Sequence, residues 1–161
     1  VLGAFRGPLG TGVVGAGAIA SAMRVFGVRL RLPQPRPAML FAFSAVVFVP
    51  AGVYYAAHLQ ASGDEPEYLL MAQSLWREGD LDLEDNWRRE EFRDYVAGMP
   101  RPPFGTHRRD GRPFPVRGPG LPAALAPVYA LGGRTACVVA LGLAAAALCV
   151  QSRALALRVS G

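Results

Sequence analysis

Ala38-Met39-Leu40-Phe41-Ala42-Phe43-Ser44-Ala45-Val46-Val47-Phe48-Val49-Pro50-Ala51-Gly52-Val53-Tyr54-Tyr55-Ala56-Ala57 is a run of twenty residues without a charge. At 1.5 Å per residue a helix of this length spans roughly 30 Å, the thickness of a bilayer's hydrocarbon core. Pro50 falls inside it, and membrane helices tolerate such a kink. Tyr54 and Tyr55 fall near its end, where interfacial aromatics belong. The run predicts a transmembrane helix over 38–57.

The flanks set its direction. Arg24, Arg29, Arg31 and Arg36 precede the run, and no arginine follows until Arg77. The positive-inside rule then puts residues 1–37 in the cytoplasm and residue 58 onward outside. A second uncharged run, Thr135 to Ser152, lies between Arg134 and Arg153. It predicts a second span over 134–153, with both arginines snorkelling, and a cytoplasmic stub over 154–161. Residues 118–133 are apolar but broken by Pro119, Pro122 and Pro127 and closed by Gly132-Gly133. They read as a short helix at the membrane surface. The expected fold is therefore α: an integral membrane chain of two transmembrane helices joined by a long extracytoplasmic loop carrying short amphipathic helices.

Composition narrows the function. Hydrophobic residues make up 52% of the 161 and come in blocks, which argues against a soluble globule. The net charge of +5 is all arginine, with no lysine, and the arginines are scattered. No basic stripe fit for a phosphate backbone results, so nucleic acid is not an expected partner. Cys137 and Cys149 on one helix would be about 18 Å apart, too far for a disulfide. No His/Cys cluster is present, so neither a metal nor a cofactor is expected. Gly10-Thr11-Gly12-Val13-Val14-Gly15 matches the letters of a dinucleotide fingerprint. No strand precedes it, and no acid follows until Asp64, far beyond the ribose-binding spacing. A soluble nucleotide-binding fragment is thus the weakest reading. The first residue is Val and the last two are Ser160-Gly161, from which a longer parent protein is expected.

The loop holds the polar chemistry. All twelve acids lie between Asp64 and Asp110, and Asp64-Glu65 is the first acidic pair of the chain. Asp64 suits an N-cap, Glu65 and Pro66 a first turn, and Gly79 a C-terminal stop. Tyr68, Leu69, Ala72, Leu75 and Trp76 fall on one helical stripe, predicting an amphipathic helix along the membrane. Asp80-Leu81-Asp82-Leu83-Glu84 alternates like a short exposed strand, and Trp87, Glu91, Phe92 and Tyr95 predict a short helix ending at Gly98. Seven prolines between Pro100 and Pro122 predict a loop, with a tight turn at Asp110-Gly111. Asp64 has two compatible readings, as a helix cap and as an ionised carboxylate able to take a proton from a hydroxyl.

Gly63-Asp64-Glu65-Pro66-Glu67-Tyr68-Leu69-Leu70-Met71-Ala72-Gln73-Ser74-Leu75, followed by Glu78-Gly79-Asp80-Leu81-Asp82-Leu83, resembles the first extracytoplasmic loop of GT-C-type membrane glycosyltransferases. The bacterial relatives of protein O-mannosyltransferases and aminoarabinose transferases are the nearest in pattern. Asp110-Gly111-Arg112-Pro113-Phe114-Pro115-Val116-Arg117-Gly118-Pro119-Gly120-Leu121-Pro122 resembles the end of the same loop. The resemblance runs from about Ala38 to Arg153, and the pattern departs at Glu67 and Arg117, where the family often has histidine. It implies a partial GT-C architecture and transfer of a sugar from a polyprenyl-phosphate carrier to an acceptor hydroxyl. By resemblance Asp64 is the catalytic carboxylate and Glu65 its acidic neighbour. Arg108, Arg109, Arg112 and Arg117 are candidates for the lipid phosphate.

The expected partners are then a polyprenyl-phosphate-linked sugar donor, the lipid bilayer and an acceptor of unstated class. The expected location is the inner cell membrane, multi-pass, with residues 58–133 outside. These 161 residues alone should be inactive, since the family's cavity needs further helices. The competing expectation is a small non-catalytic membrane protein whose loop binds a partner.

Overall fold

The computed structural model describes residues 35–97, 104–109 and 112–160; of the side chains between 101 and 115, only that of Pro115 is described. The glycine-rich start, Arg24, Arg29, Arg31, Gly98 and the Asp110-Gly111 turn therefore lie outside the described residues. The described elements belong to one compact unit, Arg36–Gly161. It is mostly helical.

Helix α1 runs Pro37–His58, with proline at its first position where no amide partner is needed. It continues through Pro50 and ends with the Leu59 amide bonded to Tyr55 O at 2.9 Å. Helix α2 is Glu65–Arg77 and helix α3 is Leu83–Arg88. A 3₁₀ turn follows at Glu91–Asp94. Strands β1 (Phe104–Arg109) and β2 (Arg112–Pro115) pair antiparallel, with Arg109 opposite Arg112. Helix α4, Gly120–Ser160, is broken at Gly132-Gly133, where Gly133 takes φ +57°. That left-handed conformation favours a residue without Cβ.

Among the described residues two helices are long and apolar enough to cross a membrane, α1 with mean hydropathy 1.8 and α4 with 1.9. Only 6% and 11% of their most apolar windows is buried within the chain. Met39, Phe43, Val46 and Leu148 turn outward, so these are not the core helices of a globule. The two helices pack through small residues. A Cβ at Gly52 would lie 2.5 Å from Val138 Cγ1, and one at Gly142 would lie 3.2 Å from Val49 Cγ2. Backbones can approach this closely only where no side chain intervenes.

Several loop expectations are corrected. Helix α2 does not lie on a surface by one stripe: Leu69, Leu70, Met71, Ala72, Gln73 and Ser74 are all buried. Six consecutive positions exceed a full turn, so α2 is the central helix of the loop, packed against α4 on one side and the elements after it on the other. Trp76, expected on the apolar stripe, is exposed. The strand expected at 80–84 is a turn into α3. Asp80 Oδ1 accepts the Asp82 amide at 3.1 Å, and Asp82 Oδ1 accepts the Glu84 amide at 3.2 Å. Aspartate side chains that satisfy nearby amides compete with a strand ladder and start helices instead. The single helix expected across Trp87 to Tyr95 is split at Glu90, which has φ +57°. The proline-rich loop contains the β1–β2 hairpin, and α4 stays helical to Ser160, beyond the expected end at 153.

Candidate active site

The loop begins where α1 ends, and its first fixed point is the start of α2. Asp64 occupies the N-cap position, but its side chain makes no capping bond. The capping expectation is corrected here: the carboxylate turns away from the helix and accepts from Arg117 Nη2 at 2.5 Å. Asp64 and Arg117 are 48% and 44% exposed, so the pair is reachable from solvent. Arg117 stands just past β2 and just before α4, and the hairpin brings it back over the start of α2.

Glu67, one turn further along α2, shares the same guanidinium, with Arg117 Nε 3.5 Å from its Oε2. Its other oxygen, Oε1, is buried without a hydrogen-bond partner. Burial pushes the Glu67 carboxyl above its ordinary value, and Arg117 opposes that rise. Asp64, Glu67 and Arg117 thus form a cluster of two carboxylates about one cation.

Glu65 faces elsewhere. Arg134 grips it with a fork, Nε to Oε1 at 2.9 Å and Nη2 to Oε2 at 3.3 Å. The Tyr55 hydroxyl donates to Glu65 Oε2 at 3.1 Å, and the Arg134 guanidinium lies over the Tyr55 ring, 5.1 Å from its centroid. Paired fork geometry of this kind fixes orientation as well as charge. The acidic pair is therefore divided, with Asp64 open to solvent and Glu65 committed to holding helices together.

Of the four phosphate candidates, only Arg117 has a described side chain, and it meets Asp64. Arg108, Arg109 and Arg112 lie on the hairpin strands, with Arg108 opposite Pro113. Their side chains lie outside the described residues. No group of three or more His, Cys, Asp or Glu able to hold a metal occurs among the described residues.

Three contributors escaped sequence reasoning. Glu67 was read only as a departure from a pattern. Arg134 was read as a snorkelling flank of a span; its neighbour Gly132-Gly133 was the available signal that the chain turns there. Glu91 is the third. It accepts from Gln73 Nε2 at 2.9 Å, Asn86 Nδ2 at 2.9 Å and Arg89 Nε at 3.0 Å. Gln73 and Asn86 are completely buried, so Glu91 satisfies polar groups inside the loop and supports α2 from beneath. Nothing in its sequence surroundings marks it.

No family model, no curated protein and no solved structure matches this chain. The chemistry of the cluster stands on its own residues. An exposed carboxylate held by one cation can accept a proton from an incoming hydroxyl, and the cation can neutralise an anionic oxygen nearby.

Proposed function

We propose that this chain inserts in the inner membrane by α1 and α4 and forms the N-terminal portion of a GT-C-type glycosyltransferase, with its loop outside the cytoplasm. The observation that carries the reading is Asp64: a solvent-reachable carboxylate free of capping duty, six residues beyond an apolar helix, with Arg117 against it. In the proposed reaction Asp64 removes the acceptor's hydroxyl proton. The acceptor oxygen bonds to the sugar's anomeric carbon as that carbon's bond to the phosphate oxygen breaks, and the phosphate leaves with the electron pair. Arg117 neutralises the developing negative charge. The donor is a sugar on a polyprenyl phosphate, whose lipid tail suits a site beside a span. Glu65 is not part of this chemistry; its carboxylate is held by Arg134 and Tyr55.

The test is transfer of labelled sugar from polyprenyl-phosphate donors to endogenous acceptors in membranes carrying the protein from its full reading frame. Asp64→Asn is expected to abolish transfer while leaving the amount of membrane-inserted protein unchanged. Retained transfer would remove Asp64 from the reaction and the reading with it.

A second reading draws on the Glu91 network and the Glu65 fork, which make the loop a packed body and not merely a tether. On that reading the chain is a non-catalytic membrane protein whose loop docks a partner. It predicts that Asp64→Asn leaves every cellular phenotype intact while substitutions on the exposed loop surface do not.

A further inference from the structure

Within the one compact unit Arg36–Gly161 two parts meet, sharing a core in which Cys137, past the glycine break, packs with Leu69 to Ala72 of α2. One is the pair of apolar helices, α1 and the part of α4 after the break, joined at Gly52 and Gly142. The other is the loop body. Within it, the Tyr129 hydroxyl donates to Gln73 Oε1 at 2.8 Å, fixing α2 to the part of α4 before the break. Glu91 ties the 3₁₀ turn and α3 to α2. The Ala61 amide bonds Tyr95 O at 2.8 Å, so residue 61 already belongs to the loop body.

The backbone crosses between the bodies at two places only a few residues long. One is Leu59-Gln60, where the chain leaves α1 in extended conformation. The other is Gly132-Gly133, where both residues have left helical geometry. Hinges are made of a few loop or element-terminal residues of this kind, which absorb changes in φ and ψ. A groove of about 350 Å³ opens along this seam, lined by Ala56 to Gln60 on one side, Arg93 to Ala97 on the other, and Arg134.

Arg134, the first residue past the glycine pair, spans the seam. It is 11% exposed. Its Nη1 donates to Ala56 O at 3.2 Å and Leu59 O at 2.6 Å, the free carbonyls at the end of α1. Its other nitrogens hold Glu65, the first residue of α2. One guanidinium therefore satisfies the end of a helix in one body and the start of a helix in the other. We infer that Arg134 and Glu65 form a latch across a hinge at Leu59-Gln60 and Gly132-Gly133, fixing the angle between the loop body and the apolar helices. Arg134 is a positioning residue: it sets where the α2 start, and Asp64 with it, stands relative to the membrane. That Asp64 is the group being aimed rests on the transferase reading; the latch itself does not.

The test is a pair of distance measurements on the full chain in lipid nanodiscs, with Cys137 and Cys149 replaced by alanine and spin labels at introduced cysteines. Labels at Tyr54 and Arg88 report across the seam; labels at Tyr54 and Leu143 report within the helical pair. Wild type is expected to show one narrow cross-seam distance. Arg134→Ala and the milder Glu65→Gln are each expected to add a second population while the control distance stays unchanged. An unchanged cross-seam distance in both variants overturns the latch, as does equal broadening of the control pair. Neither outcome depends on sugar transfer, so a failed Asp64→Asn test and a failed latch are told apart.

Discussion

The Arg117 guanidinium donates to Asp64 Oδ1 at 2.5 Å across 53 residues of sequence, and the same side chain faces Glu67 Oε2 at 3.5 Å. Closure of the loop on itself is what places a cation over the start of α2. Exposed ion pairs of this kind add little to folding, about 0–1 kcal/mol. At acid pH, where Glu67 is protonated, Arg117→Ala should therefore leave the thermal midpoint nearly unmoved, and at neutral pH it should abolish transfer, a separation that parallel unfolding and activity measurements would reveal. A large fall in the midpoint would make Arg117 a structural residue.

Glu67 supplies a pH signature. A carboxyl whose pKa is higher in the folded chain than in the unfolded one binds its proton better when folded. Its stabilising contribution is fully present below the ordinary value of 4.5 and is lost as the pH rises through the folded pKa. Glu67→Gln should accordingly be more stable than wild type at neutral pH, with the advantage vanishing below 4.5. Thermal midpoints across an acid-to-neutral series check this. Arg117→Ala should push the Glu67 titration higher still, since burial then acts unopposed, and isotope-edited infrared spectra would follow it.

The α1–α4 contact should be intolerant of volume at Gly52. A methyl there falls 2.5 Å from Val138 Cγ1, and overpacking of this kind costs about 1–3 kcal/mol. Gly52→Ala is expected to lower stability by that order, and Val138→Ala in the same chain should recover most of the loss. A double-mutant cycle in detergent measures the coupling; additive effects would place the two residues out of contact.

Glu91→Ala should be among the most damaging single changes in the loop. It strips the wholly buried Gln73 of the acceptor of its Nε2, at about 1–3 kcal/mol for a buried group left unpaired, and leaves the equally buried Asn86 Nδ2 only Glu78 Oε2 of its two acceptors. Asp64→Asn, at an exposed position, should cost far less. Limited proteolysis of the loop in the two variants would rank them, and equal resistance would refute the supporting role.

Much of the helical layout was legible from local signals. Unbroken apolar runs mark α1 and the long part of α4, and Gly132-Gly133 stands where α4 breaks. Pro66 and Gly79 bracket α2, whose final turn closes with the Gly79 amide on Ser74 O at 3.1 Å. The alternation at 80–84 misled because it records hydropathy alone, whereas the Asp80 and Asp82 side chains decide the backbone there. The α2 stripe misled in a related way. Gln73 and Ser74 fall outside that stripe, yet both are buried because Tyr129, Glu91 and Asp80 supply their hydrogen bonds.

By itself the sequence determined which segments are apolar enough to span a membrane, where α1 and α2 begin, where α4 breaks, and that the first acids follow the first apolar run. Those are properties of neighbouring residues: hydropathy, helix punctuation and charge order. Only the tertiary structure decided what the acidic pair does. Asp64 and Glu65 are adjacent in the chain, but their side chains leave the helix start in different directions. One meets Arg117 at the exit of a hairpin and the other meets Arg134 at a glycine break. Those cations come from 53 and 69 residues away. The reason is physical: a carboxylate's role follows from the charge and solvent around it, and that surrounding exists only once distant segments have packed.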